Sequence, residues 1–230
     1  MFFVVLNLIL AVLCFLIIGH SFLLFRRNRH LNVFFVLILL FVAVPRVLIF
    51  IDGLETKDIK NSVFWDNLSL TYLYVIIFQW YFKTLLNDRK RSLINVVQLV
   101  VGFLMVALSY LRLVPLYWDA FFFIVFGVFV LIEIFRIIKA YINSANLSNT
   151  EERVFVLWLK IIFGVAVFIL FNSWGISLVF NAVDASYIRA AYRLNSLVWF
   201  GVCLYILFNP LVLYGAVSYT HLTLPTTPYV

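Results

Sequence analysis

The chain has 230 residues, 66% hydrophobic and 12% charged, with a formal net charge of +7. A soluble globular domain averages about 45–50% apolar and about 25% charged residues, so this composition excludes a soluble fold and directs the chain to a bilayer. The basic balance does not mark a nucleic-acid face either, because Lys and Arg are divided among short connections between apolar runs, where they set membrane orientation.

Seven runs have the length and apolarity of membrane-spanning helices, which need roughly 18 or more such residues. The first covers Phe2 to Phe25 and stops at Arg26, Arg27 and Arg29. It lacks the basic start and small-residue cleavage site of a signal peptide and is too long for one, so it reads as a retained helix. The second covers Leu31 to Ile51 and ends at Asp52-Gly53. The third covers Leu68 to Leu86, ahead of the run Asp88-Arg89-Lys90-Arg91, and the fourth Leu93 to Val114, ahead of Pro115. The fifth, sixth and seventh cover Ala120 to Ile142, Val154 to Phe180 and Leu194 to Tyr214, the last interrupted by Asn209-Pro210. The longest connections, 52–67 and 143–153, are too short to fold alone. The predicted fold class is all-α: a polytopic bundle of about seven transmembrane helices.

Basic residues near helix ends mark cytoplasmic connections. The first, third and fifth connections carry Arg26, Arg27 and Arg29, then Arg89, Lys90 and Arg91, then Arg136, Lys139 and Arg153, whereas the second is net acidic through Asp52, Glu55, Asp58 and Asp66. The N-terminus is therefore expected outside and the C-terminus in the cytoplasm, in a multi-pass protein of the cell inner membrane. Arg189 and Arg193 in the sixth connection run against this pattern.

Catalytic chemistry has little to stand on. Cys14 and Cys203 are the two cysteines and both lie inside apolar runs, where a free Cys acts as a small packing residue. That points to neither redox work nor a disulfide. His20 and His30 have no second ligand nearby, and paired-Cys, zinc-protease, phosphate-loop and nucleophile-elbow motifs are absent from the sequence. The expectation is no enzyme, no metal and no cofactor.

Polar residues within spans are costly and tend to face the bundle interior. Arg46 follows Pro45 in the second run, Gln79 lies mid-way along the third, Arg112 ends the fourth, and Asn172 sits past the middle of the sixth. Arg46, Arg112 and Asn172 share the outer half on the expected topology, and with Gln79 they form the candidate ligand-binding set for a small molecule reaching the outer side. The competing reading of Arg46 is snorkelling, since it lies roughly 8 Å of helix from the end of its run. Glu133 and Arg136, spaced i, i+3, read as an ordinary same-face pair.

The stretch VSYTHLTLPTTPYV, Val217 to Val230, is Thr-rich and has no apolar period. It resembles the translation of a transposon-library sequencing adapter: GTC TCT TAT ACA CAT CTG ACG CTG CCG ACG encodes Val217 to Thr226, and the adapter's next base, A, opens every Thr codon, as at Thr227. After a variable index the adapter resumes with GTG TAG, a Val codon and a stop, matching Val230. The expected division is 1–215 as a seven-helix transmembrane domain and 216–230 as a non-native, disordered tail, with the natural protein continuing elsewhere.

Ahead of that tail stands Asn209-Pro210-Leu211-Val212-Leu213-Tyr214-Gly215. This N-P-x-x-L-Y-G stretch, leaving a seventh Phe/Ile-rich helix, resembles the membrane region of Bacteroidetes-type membrane-bound regulators that carry an AraC-type helix-turn-helix DNA-binding domain after a cytoplasmic linker. The resemblance implies a membrane-embedded signal-sensing region of a transcriptional regulator, truncated before its DNA-reading part. The implied partners are the lipid bilayer and a small ligand, with a homodimer left open and no nucleic acid bound by the residues present. The sensor region of a histidine kinase and a small transporter are the alternatives.

Overall fold

The computed structural model describes residues 2–23, 29–54, 68–86, 93–111, 113–145, 150–179 and 185–209. Seven α-helices lie among them: α1 (Phe2–Leu23), α2 (Arg29–Leu54), α3 (Leu68–Leu85), α4 (Leu93–Tyr110), α5 (Leu116–Ser144), α6 (Thr150–Val179) and α7 (Ala185–Phe208). No strand occurs among the described residues. Each apolar run has become one helix, the form that bonds every backbone N–H and C=O within its own segment and so tolerates hydrocarbon. Among the described residues, four helices contain stretches long and apolar enough to cross a membrane, Phe2–Phe22, Trp118–Ser144, Glu152–Gly175 and Ala190–Phe208, while Val33–Leu48 and Val96–Ser109 are shorter apolar stretches. By length and composition this is an all-α membrane protein.

Sequential helices pack as pairs, α1 on α2, α3 on α4 and α5 on α6. Beyond its own pair, α3 packs on α2, α5 and α6, and α7 closes onto α1 and α6. The centre is therefore α3. Tyr72, Tyr74, Ile76, Phe78, Gln79, Tyr81, Phe82, Lys83 and Leu85 are all buried, which places buried side chains on every face of that helix. Leu16, Val100, Phe103, Phe121, Phe129 and Phe135 on α1, α4 and α5 are exposed, and such a surface requires hydrocarbon around it.

Aromatic contacts hold the centre. Tyr72 meets Phe123 edge to face with ring centroids 5.1 Å apart. Trp158 of α6 stacks on Tyr205 of α7, centroids 5.9 Å apart and planes inclined by 5°, and its indole N–H donates to the Tyr81 hydroxyl of α3 at 3.2 Å. Small residues let backbones approach in membranes. A Cβ on Gly127 of α5 would collide with the Leu170 side chain of α6, and one on Gly102 of α4 with Ile76 of α3. Gly127→Leu is accordingly expected to destabilise the bundle by about 1–3 kcal/mol, the usual range for overpacking. Thermal unfolding in lipid–detergent micelles checks it, and an unchanged midpoint would show that α5 and α6 do not meet here.

Four helices, α2, α5, α6 and α7, start earlier than their apolar runs, and at α5 and α7 the extra turns carry charged residues into the fold. Helix α7 begins at Ala185 instead of Leu194, so Arg189 and Arg193 belong to a helix and not to a connection. The Arg193 guanidinium carbon lies 4.6 Å from the centroid of the Phe3 ring of α1, a cation–π contact that places the charge against protein. Helix α5 begins at Leu116, and its first turn takes in Asp119, buried where the helix dipole favours an acid. Arg112 and the stretch 210–230, which holds most of the N-P-x-x-L-Y-G motif and the whole Thr-rich tail, lie outside the described residues.

Candidate functional site

Arg46 points into the protein. It sits eight residues before the end of α2, about 12 Å of helix, and is only 6% exposed. Its Nη1 donates to the Val42 carbonyl one turn back, at 3.1 Å. That direction is away from the nearer helix end, opposite to a snorkelling side chain, and it follows the N-terminal tilt of helical side chains. Its Nε has no hydrogen-bond partner among the described residues. The groups within electrostatic reach of the guanidinium are Tyr74 on α3, Cys14 on α1, and Tyr192 and Cys203 on α7. The buried Tyr74 hydroxyl is also without a partner among the described residues. An Nε donor and a hydroxyl left without partners out of water are costly to the fold alone. Together they present the donors that a carboxylate, phosphate or other acceptor-rich group would satisfy.

Tyr74 also borders a small apolar crevice of about 20 Å³ between α3, α5 and α6. Phe78, Gly127, Val130, Ala166 and Leu170 line it. Tyr74 thus belongs both to the group around Arg46 and to the lining of this crevice.

Gln79 belongs elsewhere. Its side chain and that of Gln98 on α4 hydrogen-bond each other, and their Nε2 atoms each donate to Glu133 Oε2 at 2.6 Å. The other oxygen of Glu133 accepts an ion pair from Lys83 Nζ at 2.8 Å. Gln79 and Lys83 are spaced i, i+4, which puts both on one face of α3. Glu133 therefore turns across to α3. Among the described residues no ion pair joins it to Arg136, which is exposed. The same-face pair expected from i, i+3 spacing gives way because a buried ammonium and two amide donors offer the carboxylate more than one solvated guanidinium.

A second buried acid lies at the start of α5. The Tyr72 hydroxyl donates to Asp119 Oδ1 at 3.1 Å and is 3.0 Å from the Asp119 carbonyl oxygen. Ser109 Oγ donates to Asp119 Oδ2 at 2.7 Å. Asn172 is half-buried on α6, which packs on α3, α5 and α7. Of the four residues singled out from sequence, Arg46 and Gln79 lie in separate clusters, Asn172 stands on a third helix, and Arg112 is outside the described residues.

The sequence reading missed Tyr74, Gln98 and the Lys83–Glu133 pair. The sequence pairs Glu133 with Arg136, and the i, i+4 spacing of Gln79 and Lys83 was the available signal. It also missed the cysteines. Cys14 Sγ and Cys203 Sγ are 3.7 Å apart across α1 and α7, whereas the sequence offered each only as an isolated packing residue. No cluster of three or more His, Cys, Asp or Glu able to hold a metal ion occurs among the described residues.

Comparison with protein-family models, with curated proteins and with solved structures gives no match to this chain.

Proposed function

We propose that this chain is the membrane-embedded sensing region of a transcriptional regulator. A small ligand with an acceptor-rich group occupies Arg46 and Tyr74 in the outer half of the bundle. Its arrival alters packing among α1, α2, α3 and α7, and α7 passes that change to a cytoplasmic output domain. The reading takes all seven helices as crossings of the inner membrane, with the N-terminus outside and the basic odd connections inside. The observation that carries it is that Arg46 Nε and the Tyr74 hydroxyl both lack partners among the described residues, while the guanidinium is within electrostatic reach of Tyr74 and, on α7, of Tyr192 and Cys203. The resemblance of 209–215 to the exit of the last helix in membrane-bound regulators supports the assignment of the output. A ligand shifts such a structure only by binding one packing state better than the other, and a desolvated guanidinium supplies that difference.

The test uses the full-length gene with a reporter of its output. A charge at mid-membrane costs about 2.5–3.5 kcal/mol on insertion scales, so Arg46→Leu is expected to insert at least as well as wild type. It is expected to lose at least tenfold of the response to stimulus, about 1.4 kcal/mol or more of differential binding. Arg46→Lys retains part of that response and Tyr74→Phe weakens it. Wild-type responses from both Arg46→Leu and Tyr74→Phe would leave the unsatisfied pair without a role in sensing.

A further inference from the structure

We infer that Cys14 and Cys203 are a dithiol pair that a small hydroperoxide oxidises to a disulfide, covalently joining the first helix to the last. The chain contains two cysteines. They are 189 positions apart in sequence, and their sulfurs meet at 3.7 Å inside the bundle. Both side chains are completely buried. A cysteine used only to fill space needs no second cysteine beside it, and the buried cluster that holds both is otherwise built from aliphatic and aromatic residues and alanine. Closing the two sulfurs from 3.7 Å to the disulfide bond length of about 2.05 Å requires an approach of about 1.7 Å.

Burial selects the oxidant: a protein disulfide or a large quinone has no path to sulfurs that are not exposed, whereas hydrogen peroxide is small and neutral.

The reaction balances in two steps. One thiolate attacks a peroxide oxygen, the S–O bond forms, the O–O bond breaks, and the departing hydroxide takes up the proton released by that thiol to give water. The sulfur is now a sulfenic acid. The second thiol attacks that sulfur, the S–S bond forms, the S–O bond breaks, and the leaving hydroxide takes the second thiol's proton as water. Two thiols and one hydrogen peroxide become one disulfide and two waters.

The bond would tighten a contact that already exists. Ser196 Oγ of α7 donates to Asn7 Oδ1 of α1 at 2.8 Å, and Arg193 covers Phe3. What the staple does to output rests on the sensing function proposed above, since α7 is the helix that would carry the change.

The experiment measures the chemistry alone. The purified chain in lipid–detergent micelles is reduced with dithiothreitol, freed of it, dosed with hydrogen peroxide, then denatured in a maleimide and weighed intact. The expected result is loss of both maleimide additions in a monomeric chain lighter by two hydrogens, with both additions restored by dithiothreitol. Cys203→Ser is expected to form no intramolecular bond and to trap a sulfenic acid that a cyclic 1,3-dione captures. Wild-type chain that keeps both maleimide additions after peroxide, or links only between chains, overturns the inference. Because no ligand and no output domain enters this assay, its failure leaves the sensing proposal standing, and loss of that proposal in the reporter assay leaves the thiol chemistry standing.

Discussion

Glu133→Ala is expected to cost the fold about 3 kcal/mol. Removing one partner of a buried ion pair typically costs about 3–5 kcal/mol, because the other charge is left without compensation. The lower end applies here since the Glu133 side chain is 23% exposed while that of Lys83 is 6%. The loss reaches three helices at once. Lys83 on α3 loses its carboxylate, and Gln79 on α3 and Gln98 on α4 lose the oxygen to which both donate. Glu133→Gln keeps an acceptor and discards the charge, so it falls between the two. The double change Lys83→Met with Glu133→Leu removes both charges, and well-packed apolar replacements of a buried pair are often neutral or better. It is expected to be more stable than Glu133→Ala alone, a coupling that a double-mutant cycle reads directly. Unfolding in lipid–detergent micelles as the denaturing detergent fraction is raised provides the measurement. Simple additivity of the two single changes would show that Lys83 and Glu133 act independently.

Trp158→Ala is expected to cost about 3–5 kcal/mol, the range for truncating a fully buried large aromatic residue. The indole has no exposed surface, stacks on Tyr205 and donates to Tyr81, so its loss opens a cavity where α3, α6 and α7 meet. Lipid does not remove the penalty, because helix association in membranes rests on van der Waals packing and a void forfeits those contacts. Trp158→Phe separates the contributions. It retains a ring against Tyr205 and loses the hydrogen bond, worth about 0.6 kcal/mol on average between membrane helices, together with part of the packed volume. Its expected cost is about 1–2 kcal/mol. Equal losses from both variants would place the energy in the hydrogen bond and not in the packed volume.

Much of the fold was legible from run length. Six of the seven helix starts fall within about five residues of the apolar boundary read from sequence, and α7 is the exception. Its first turns, ASYIRAAYR, are polar enough to read as a connection, but Arg193 finds Phe3 of α1 to lie against. Helix α3 shows the converse. Its Gln79, Lys83 and tyrosines keep it off the set of stretches apolar enough to cross by composition, yet it is the helix most surrounded by others. A polar residue is tolerated there because neighbouring helices replace lipid around it.

The candidate site was legible in part. Arg46 stands out in sequence as a charge in an apolar run, and the structure adds the direction of its side chain and the absence of a partner at Nε. Tyr74 carries no such signal among so many aromatic residues. Cys14 and Cys203 are too far apart in the chain for any local pattern to join them.

The sequence by itself determined that this chain is helical, apolar and divided into seven segments, since a backbone in hydrocarbon must bond within its own segment. The tertiary structure alone decided which helix stands at the centre, that Gln79 joins Glu133 and not Arg46, and that the first and last helices bring two sulfurs together. In water an amphipathic stripe announces the inward face of a helix. Here lipid and core are both apolar, helices such as α1 and α2 carry little contrast between faces, and inward direction is set by packing that no local period records.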